Sequence, residues 1–299
     1  MRAKRARAAR SGQPGTRVAR RERMQRWTRL TGWRRIANAM WRAPNDPQIF
    51  GMLDIEAGPM LRFLEAARHR GEHLTPTHLV GRAVACALEA TPALNVQIRR
   101  GRARPRASID VFFQTAVAGG KDLSGITIRD ASRKSAAELA AELRDRATAM
   151  KQGRDGEFAR TKRMTDAMPI SVLRGALALT SFLAQDLRLA LPGLGVHRDP
   201  FGSAMVTSVG MFGLPQGFAP LAWMYDVPLL VLVGEITPKP VVVGDRVEPR
   251  PVLPITATID HRYVDGAHVG SAMKAFRAYL AAPGDFEPAP RHEACLTFS

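Results

Sequence analysis

The chain has 299 residues, 45% of them hydrophobic, enough for one large domain or two small ones around a sizeable core. Its two cysteines, Cys86 and Cys295, lie far apart without metal-ligand spacing. They argue against a disulfide framework or a zinc site and fit a reducing, cytoplasmic compartment. The formal net charge of +17 is unevenly placed: residues 1–36 hold thirteen Lys or Arg and one acid, Glu22, a net +12, which leaves +5 for the rest.

That basic arm comes first in the chain. Arg2, Lys4, Arg5, Arg7 and Arg10 sit among alanines and are followed by Ser11-Gly12-Gln13-Pro14-Gly15, so residues 1–30 read as disordered. The stretch from Arg17 to Arg29 can form a helix on contact with a partner. No apolar stretch follows the positive residues, which argues against a signal peptide. The interleaved aromatic and basic residues of a nucleic-acid-binding fold are missing too. The arm is either a solvated tail or a contact for an anionic partner: a membrane surface, RNA or an acidic protein face.

Beyond the arm, helices and strands alternate. Gly51 to Ile55 reads as a strand, Met60 to Arg70 as a short helix, and Thr77 to Ala90 as an apolar helix that carries Cys86 as inert core. Ser108 to Val117 is a strand, and Ser135 to Gln152 an amphipathic helix with Leu139, Leu143 and Met150 on one side. Next comes an apolar stretch from Met168 to Pro192, bounded by prolines and too charged at Arg174, Asp186 and Arg188 to span a bilayer comfortably. Gly202 to Gly213 reads as a strand ending in a glycine-bounded turn. Pro228 to Gly234 is a continuous apolar run, as expected of a central strand buried on both faces. Val241 to Val247 is a hairpin with Gly244-Asp245 at its turn, and Val252 to Ile259 has the β-branched enrichment of a strand. From Gly266 the chain is helical through Val269, Met273, Phe276 and Leu280.

Between the last strand and this helix stands Asp260-His261-Arg262-Tyr263-Val264-Asp265-Gly266. A histidine at a strand end suits general-base chemistry: the strand fixes the imidazole, Asp265 holds the turn, and Gly266 permits a backbone angle closed to other residues. The same residues also describe a turn with an aspartate helix cap. The other histidines, His69, His73, His78, His197, His268 and His292, lack such context and read as surface or core.

With Thr207-Ser208-Val209-Gly210-Met211-Phe212-Gly213 some fifty residues earlier, the chain resembles the catalytic domain of the dihydrolipoamide acyltransferases. These are the core subunits of 2-oxoacid dehydrogenase complexes, within the chloramphenicol acetyltransferase-like superfamily. Three further stretches carry the likeness: Arg34 to Met40, similar to that domain's basic opening helix; Leu74 to Asn95, similar to its next helix and loop; and Asp122 to Ser135, similar to a strand-to-helix junction. The resemblance runs from about Arg34 to about Phe286, interrupted between about Gly153 and Phe201.

The resemblance implies an α/β two-layer sandwich with a large mixed sheet flanked by helices, over residues 31–286, with a C-terminal tail at 287–299. It implies acyl transfer between coenzyme A and a thiol such as dihydrolipoamide, with His261 as general base and Thr207 as donor to the oxyanion. Ser208 is the fallback hydroxyl. Asp265 is a scaffold residue tied to an arginine, for which Arg34 and Arg35 are the candidates. Histidine and hydroxyl come from neighbouring subunits in the family, so a homotrimer or larger assembly is implied. No metal is needed. Complete acyltransferases also carry a lipoyl domain and a subunit-binding domain ahead of the catalytic one. Only some thirty residues precede it here, so lipoate is expected not on this chain but on a separate lipoyl-domain protein, with dehydrogenase subunits as further partners.

The alternative is a non-catalytic trimeric scaffold or accessory subunit of such a complex. The inserted segment, about 165–195, has three readings: a helix packed on the domain or at a subunit interface, a membrane-surface helix, or a remodelled pocket wall.

Overall fold

The computed structural model describes residues 46–99, 101–117, 122–151, 169–187, 199–222 and 226–287. The basic arm, the Arg34–Met40 stretch, Cys295 and the C-terminal tail beyond Glu287 lie outside these residues. The described residues from Pro47 onward belong to one compact unit.

The elements are β1 (Gln48–Glu56), α1 (Gly58–His69), α2 (Pro76–Ala90), β2 (Val96–Arg99), β3 (Arg102–Pro105), β4 (Val111–Val117) and β5 (Asp122–Ile128). They are followed by α3 (Ala136–Lys151), α4 (Ile170–Ser181), β6 (Ala204–Ser208), β7 (Leu229–Val233), β8 (Thr237–Val243), β9 (Arg246–Asp260) and α5 (Gly266–Ala281). One mixed sheet runs in the order β1-β9-β7-β6-β4-β5, with β8 also on β9, while β2 and β3 form a separate hairpin. The pairs β4–β6 and β6–β7 are parallel and the others antiparallel.

Alternation decides which side of the sheet each residue faces. Val111, Phe113, Val206, Val231, Ile255 and Ile259 join the apolar faces of α1, α2, α3 and α5 in one core. The opposite face has only a small cluster, Met205, Val227 and Leu230 with Phe112 and Phe201. There the extended chain after residue 213 is tied down: the Thr258 hydroxyl donates to the Ala219 carbonyl at 2.7 Å, and the Leu221 N–H to Gln48 Oε1 at 2.7 Å. The Thr256 hydroxyl likewise donates to the Gly217 carbonyl. β7 is buried along its whole length, as its unbroken apolar run predicts.

β9 is longer than the strand expected over Val252–Ile259. Its first half pairs with β8 through the turn at Gly244-Asp245, where Gly244 takes φ 60°. Its second half lies between β1 and β7. The β2–β3 hairpin has no counterpart in the sequence reading. Its strands carry Arg99, Arg102 and Arg104, and their polarity hides the period-2 pattern.

α4 occupies the inserted segment and passes into a π-helical turn at Phe182–Asp186. It buries none of its residues, and Ile170, Val172 and Leu179 are exposed. Leu173, Ala176, Leu177 and Thr180 form its half-buried side. No described helix is long and apolar enough to cross a membrane.

α2 opens on Thr75, whose hydroxyl accepts the His78 N–H while His78 Nδ1 accepts the Thr75 N–H at 3.2 Å, a capping box with histidine in the third position. His78, read as an ordinary surface or core histidine, thus has a defined task. Burial, and secondly the nearby Arg144 charge, push its pKa from 6.5 down to about 4. Between those values the unfolded chain binds a proton that the folded chain refuses. Stability is therefore full above about pH 6.5 and drains by on the order of 3 kcal/mol as the pH falls towards about 4. Urea denaturation at neutral pH and at about pH 4.5 checks this: His78→Asn should lose clearly less stability on acidification than the parent chain.

Candidate active site

β9 delivers Asp260 buried at its last position, its N–H on the Pro228 carbonyl at 2.9 Å. The carboxylate accepts the Arg262 backbone N–H at 2.9 Å, its Nε at 3.0 Å and its Nη2 at 2.5 Å. This bidentate pair, within two residues, bends the chain around His261. The His261 N–H donates to the Pro47 carbonyl at 2.9 Å, so the backbone of the histidine is fixed from both sides while its side chain is exposed. The imidazole has no hydrogen-bond partner among the described residues.

Tyr263 and Val264 turn inward and are buried. The Tyr263 hydroxyl donates to Asp226 Oδ1 at 3.2 Å, and burial, followed by the Asp226 charge, pushes its pKa up to about 12. Arg106, only 4% exposed, pairs with Asp199 at 2.8 Å and donates to the Asp226 carbonyl at 2.6 Å. Asp199 and Asp226 both have positive φ, 51° and 53°. The turn bearing His261 is thereby tied to the corner that leads into β6. None of these partners was singled out in the sequence, because they lie tens of residues apart; the adjacent Asp260 and Arg262 were quoted there without a role.

Asp265 caps α5. Its Oδ1 accepts the N–H groups of Ala267 at 3.0 Å and His268 at 3.2 Å, and His268 Nδ1 lies 2.8 Å away. The His268 N–H, then its ring, hold the Asp265 carboxyl below its ordinary value. Arg34 and Arg35 are outside the described residues; within them the side-chain partner of Asp265 is His268, which the sequence reading had set aside. The signal was there, an aspartate three residues before a histidine across a helix start. The expectation for Gly266 needs correcting. It has no positive φ, and a Cβ there would meet nothing within 4 Å. Asp265, extended at φ −110° and ψ −176°, makes the entry into the helix by itself.

Thr207 is half-buried near the end of β6, paired with Leu232. It shares the face opposite α1, α2, α3 and α5 with Met205 and Leu230, whereas Ser208 points to the other side. The Thr207 hydroxyl has no hydrogen-bond partner among the described residues. The turn that follows relies on close backbone approach. A Cβ on Gly210 would come 2.5 Å from the Gly234 carbonyl oxygen, and Gly213 takes φ 72°. At the strand's start, Gly202 has φ 64°, and a Cβ there would sit 2.6 Å from the Asp110 carbonyl oxygen. Gly202→Ala is accordingly expected to cost at least about 2 kcal/mol, read as a drop in the denaturation midpoint, and to lower activity by displacing β6.

The register sets Thr207 opposite Leu232, and Leu232 opposite Thr256. His261 lies five residues past Thr256 and two strands away from Thr207. Strand spacing and rise put the two residues about 20 Å apart within one chain. One chain therefore presents an imidazole and a hydroxyl at separate places and does not bring them together.

Apolar side chains stay exposed around the hydroxyl's face. Met211 (71%), Phe212 and Leu214 follow Thr207, and Met52 (63%) and Phe50 lie on β1, where Phe50 meets Phe218 edge-on at 5.3 Å. Cys86 is half-buried; its Sγ accepts from Arg82 Nη1 at 3.0 Å, and burial raises its pKa, so at neutral pH it is a thiol.

A family model described as "2-oxoacid dehydrogenases acyltransferase (catalytic domain)" matches residues 23–159 and 201–286, leaving the stretch with α4 between the two matched parts. The chain is 26% identical over 218 residues, 73% of its length and 44% of the relative's, to the dihydrolipoyllysine-residue acetyltransferase component of the acetoin cleaving system of Bacillus subtilis. It spans less than half the length of the curated relatives it matches. In fold it is similar to a probable dihydrolipoamide acetyltransferase from Listeria monocytogenes, with a TM-score of 0.59 and 19% identity, covering 95% of this chain and 98% of that one. It is equally similar to the cubic core of a pyruvate dehydrogenase multienzyme complex, with a TM-score of 0.59 and 19% identity over 81% of this chain and 84% of that one. With the mixed sheet and the histidine turn at the end of β9, the match over both stretches establishes that this chain belongs to the 2-oxoacid dehydrogenase acyltransferase family, as a catalytic domain.

Proposed function

We propose that the protein transfers an acyl group between coenzyme A and a second thiol, dihydrolipoamide being the first candidate, in a site completed between two subunits of a homotrimer or larger assembly. His261 takes the proton from the attacking thiol, and the thiolate adds to the thioester carbonyl carbon. The resulting oxyanion accepts a hydrogen bond from the Thr207 hydroxyl of a neighbouring chain. Collapse breaks the bond to the departing sulfur, which takes the proton back from the imidazolium. Asp265 holds the turn and carries no proton. Coenzyme A arrives as substrate, and the lipoyl group on a separate domain, with dehydrogenase subunits as partners.

The observation that carries this reading is the register, which sets His261 two strands and five residues from Thr207 in one chain, about 20 Å by strand spacing and rise, with neither side-chain group engaged by a described residue. A second copy across the exposed Phe50, Met52 and Met211 face would cover apolar surface and bring a foreign imidazole towards Thr207. α4, whose apolar side chains are also uncovered, would be a further contact in such an assembly.

The test is subunit complementation. His261→Ala and Thr207→Val chains are each assayed for acyl exchange between coenzyme A and dihydrolipoamide, and then co-expressed. Each alone should be nearly inactive, whereas mixed assemblies contain interfaces with both native residues and should regain activity. A mixture as inactive as its components rules out the shared site. An inactive parent chain that still forms trimers would favour the scaffold alternative.

A further inference from the structure

On the helix-covered side, away from Thr207, a cavity of about 310 Å3 opens where α2 begins, between α3 and the β4–β5 pair. That is the low end of the range for small-molecule sites, about 300–1,000 Å3. Its floor is apolar: Phe113, Ile126 and Leu143 are buried in the core and line it. Arg144 is the cation of its lining, His73 and His78 add imidazoles, and no carboxylate is among the described lining residues.

Two details go beyond composition. Arg144 is exposed at the cavity and makes no ion pair or hydrogen bond with any described residue. The neighbouring arginine on the same helix, Arg146, does pair, with Glu142 at 2.6 Å. His78 Nδ1 is committed as acceptor to the Thr75 N–H at 3.2 Å, so its proton sits on Nε2, which remains a donor. A lone guanidinium and an imidazole N–H beside an apolar floor form a head-and-tail arrangement.

We infer that this cavity binds a small carboxylic acid with a short aliphatic tail. The carboxylate lies against Arg144 with the His78 Nε2–H as second donor, and the tail lies on Phe113, Ile126 and Leu143. An arginine fork matches a carboxylate in two parallel hydrogen bonds. A neutral head group would leave it unpaired, and a cationic one would be repelled. The site is separate from the acyl-transfer centre, so failure of one proposal leaves the other standing.

The experiment is calorimetric titration of the full-length chain with hexanoate, with hexan-1-ol as the neutral control, repeated on Arg144→Gln. Arg144 is exposed, so the variant should fold as the parent does, which its denaturation curve checks. Hexanoate should bind the parent chain and shift the His78 ring resonances, and hexanol should bind at least about tenfold more weakly, a gap of 1.4 kcal/mol. Arg144→Gln should weaken hexanoate by a similar factor. No hexanoate binding at millimolar concentration overturns the inference. So does equal binding of hexanol, or hexanoate affinity that survives Arg144→Gln, since each means that the guanidinium does not read the head group.

Discussion

Replacing His261 with alanine should lower kcat for acyl exchange between coenzyme A and dihydrolipoamide by about 10²–10⁴-fold, with little change in the KM for the acyl thioester. The loss follows from the role: without the imidazole the attacking thiol must ionise unaided, and near neutral pH only a few per cent of it is thiolate. Stability should hardly change, because the side chain is exposed and what fixes this residue is its backbone N–H on Pro47. Steady-state kinetics on an assembly of unchanged size measures the effect. A variant that keeps the parent kcat would end the assignment of His261 as the general base.

Thr207→Val, which keeps the shape and removes the hydroxyl, should lower kcat by about 10²–10³-fold, or roughly 3–4 kcal/mol of transition-state stabilisation. Ser208→Ala should stay within a few-fold of the parent chain. The contrast rests on geometry: adjacent residues of β6 point to opposite faces, and Thr207 shares with Met205 the side opposite α1, α2, α3 and α5. In the sequence Thr207 was the expected donor and Ser208 the fallback. Should Ser208→Ala be the damaging change and Thr207→Val the mild one, the oxyanion donor works from the helix side and the proposed subunit arrangement is wrong. The family resemblance puts Thr207 first and Ser208 second; the strand's register against β7 sets them on opposite faces, so the two substitutions test that order.

Much of the fold was legible because its signals are local. Pro228 to Gly234 reads as a buried central strand since every residue is apolar, and β7 is buried throughout. The Gly244-Asp245 turn announces its hairpin by chemistry that only a tight turn needs. The histidine turn is contiguous, so its seven residues could be seen together. Other features were hidden for the complementary reason. The β2–β3 hairpin is written in arginines. The Arg106 pair with Asp199 and the bond from Tyr263 to Asp226 join residues far apart in sequence, which no spacing rule anticipates. Among the described residues Asp265 is engaged by the helix cap and by His268, a pairing the sequence reading had passed over, and Gly266 does not need the special backbone angle expected of it.

From residue order alone came the family likeness, the run of strands and helices, and the identity of an imidazole and a hydroxyl suited to acyl transfer. Their separation was settled only by the folded sheet. Strand order β6-β7-β9 is a non-local choice, made by burying one face of each strand under the helices, and it holds Thr207 two strands and five residues away from His261. Hydrogen-bonded strands are too rigid to close such a gap.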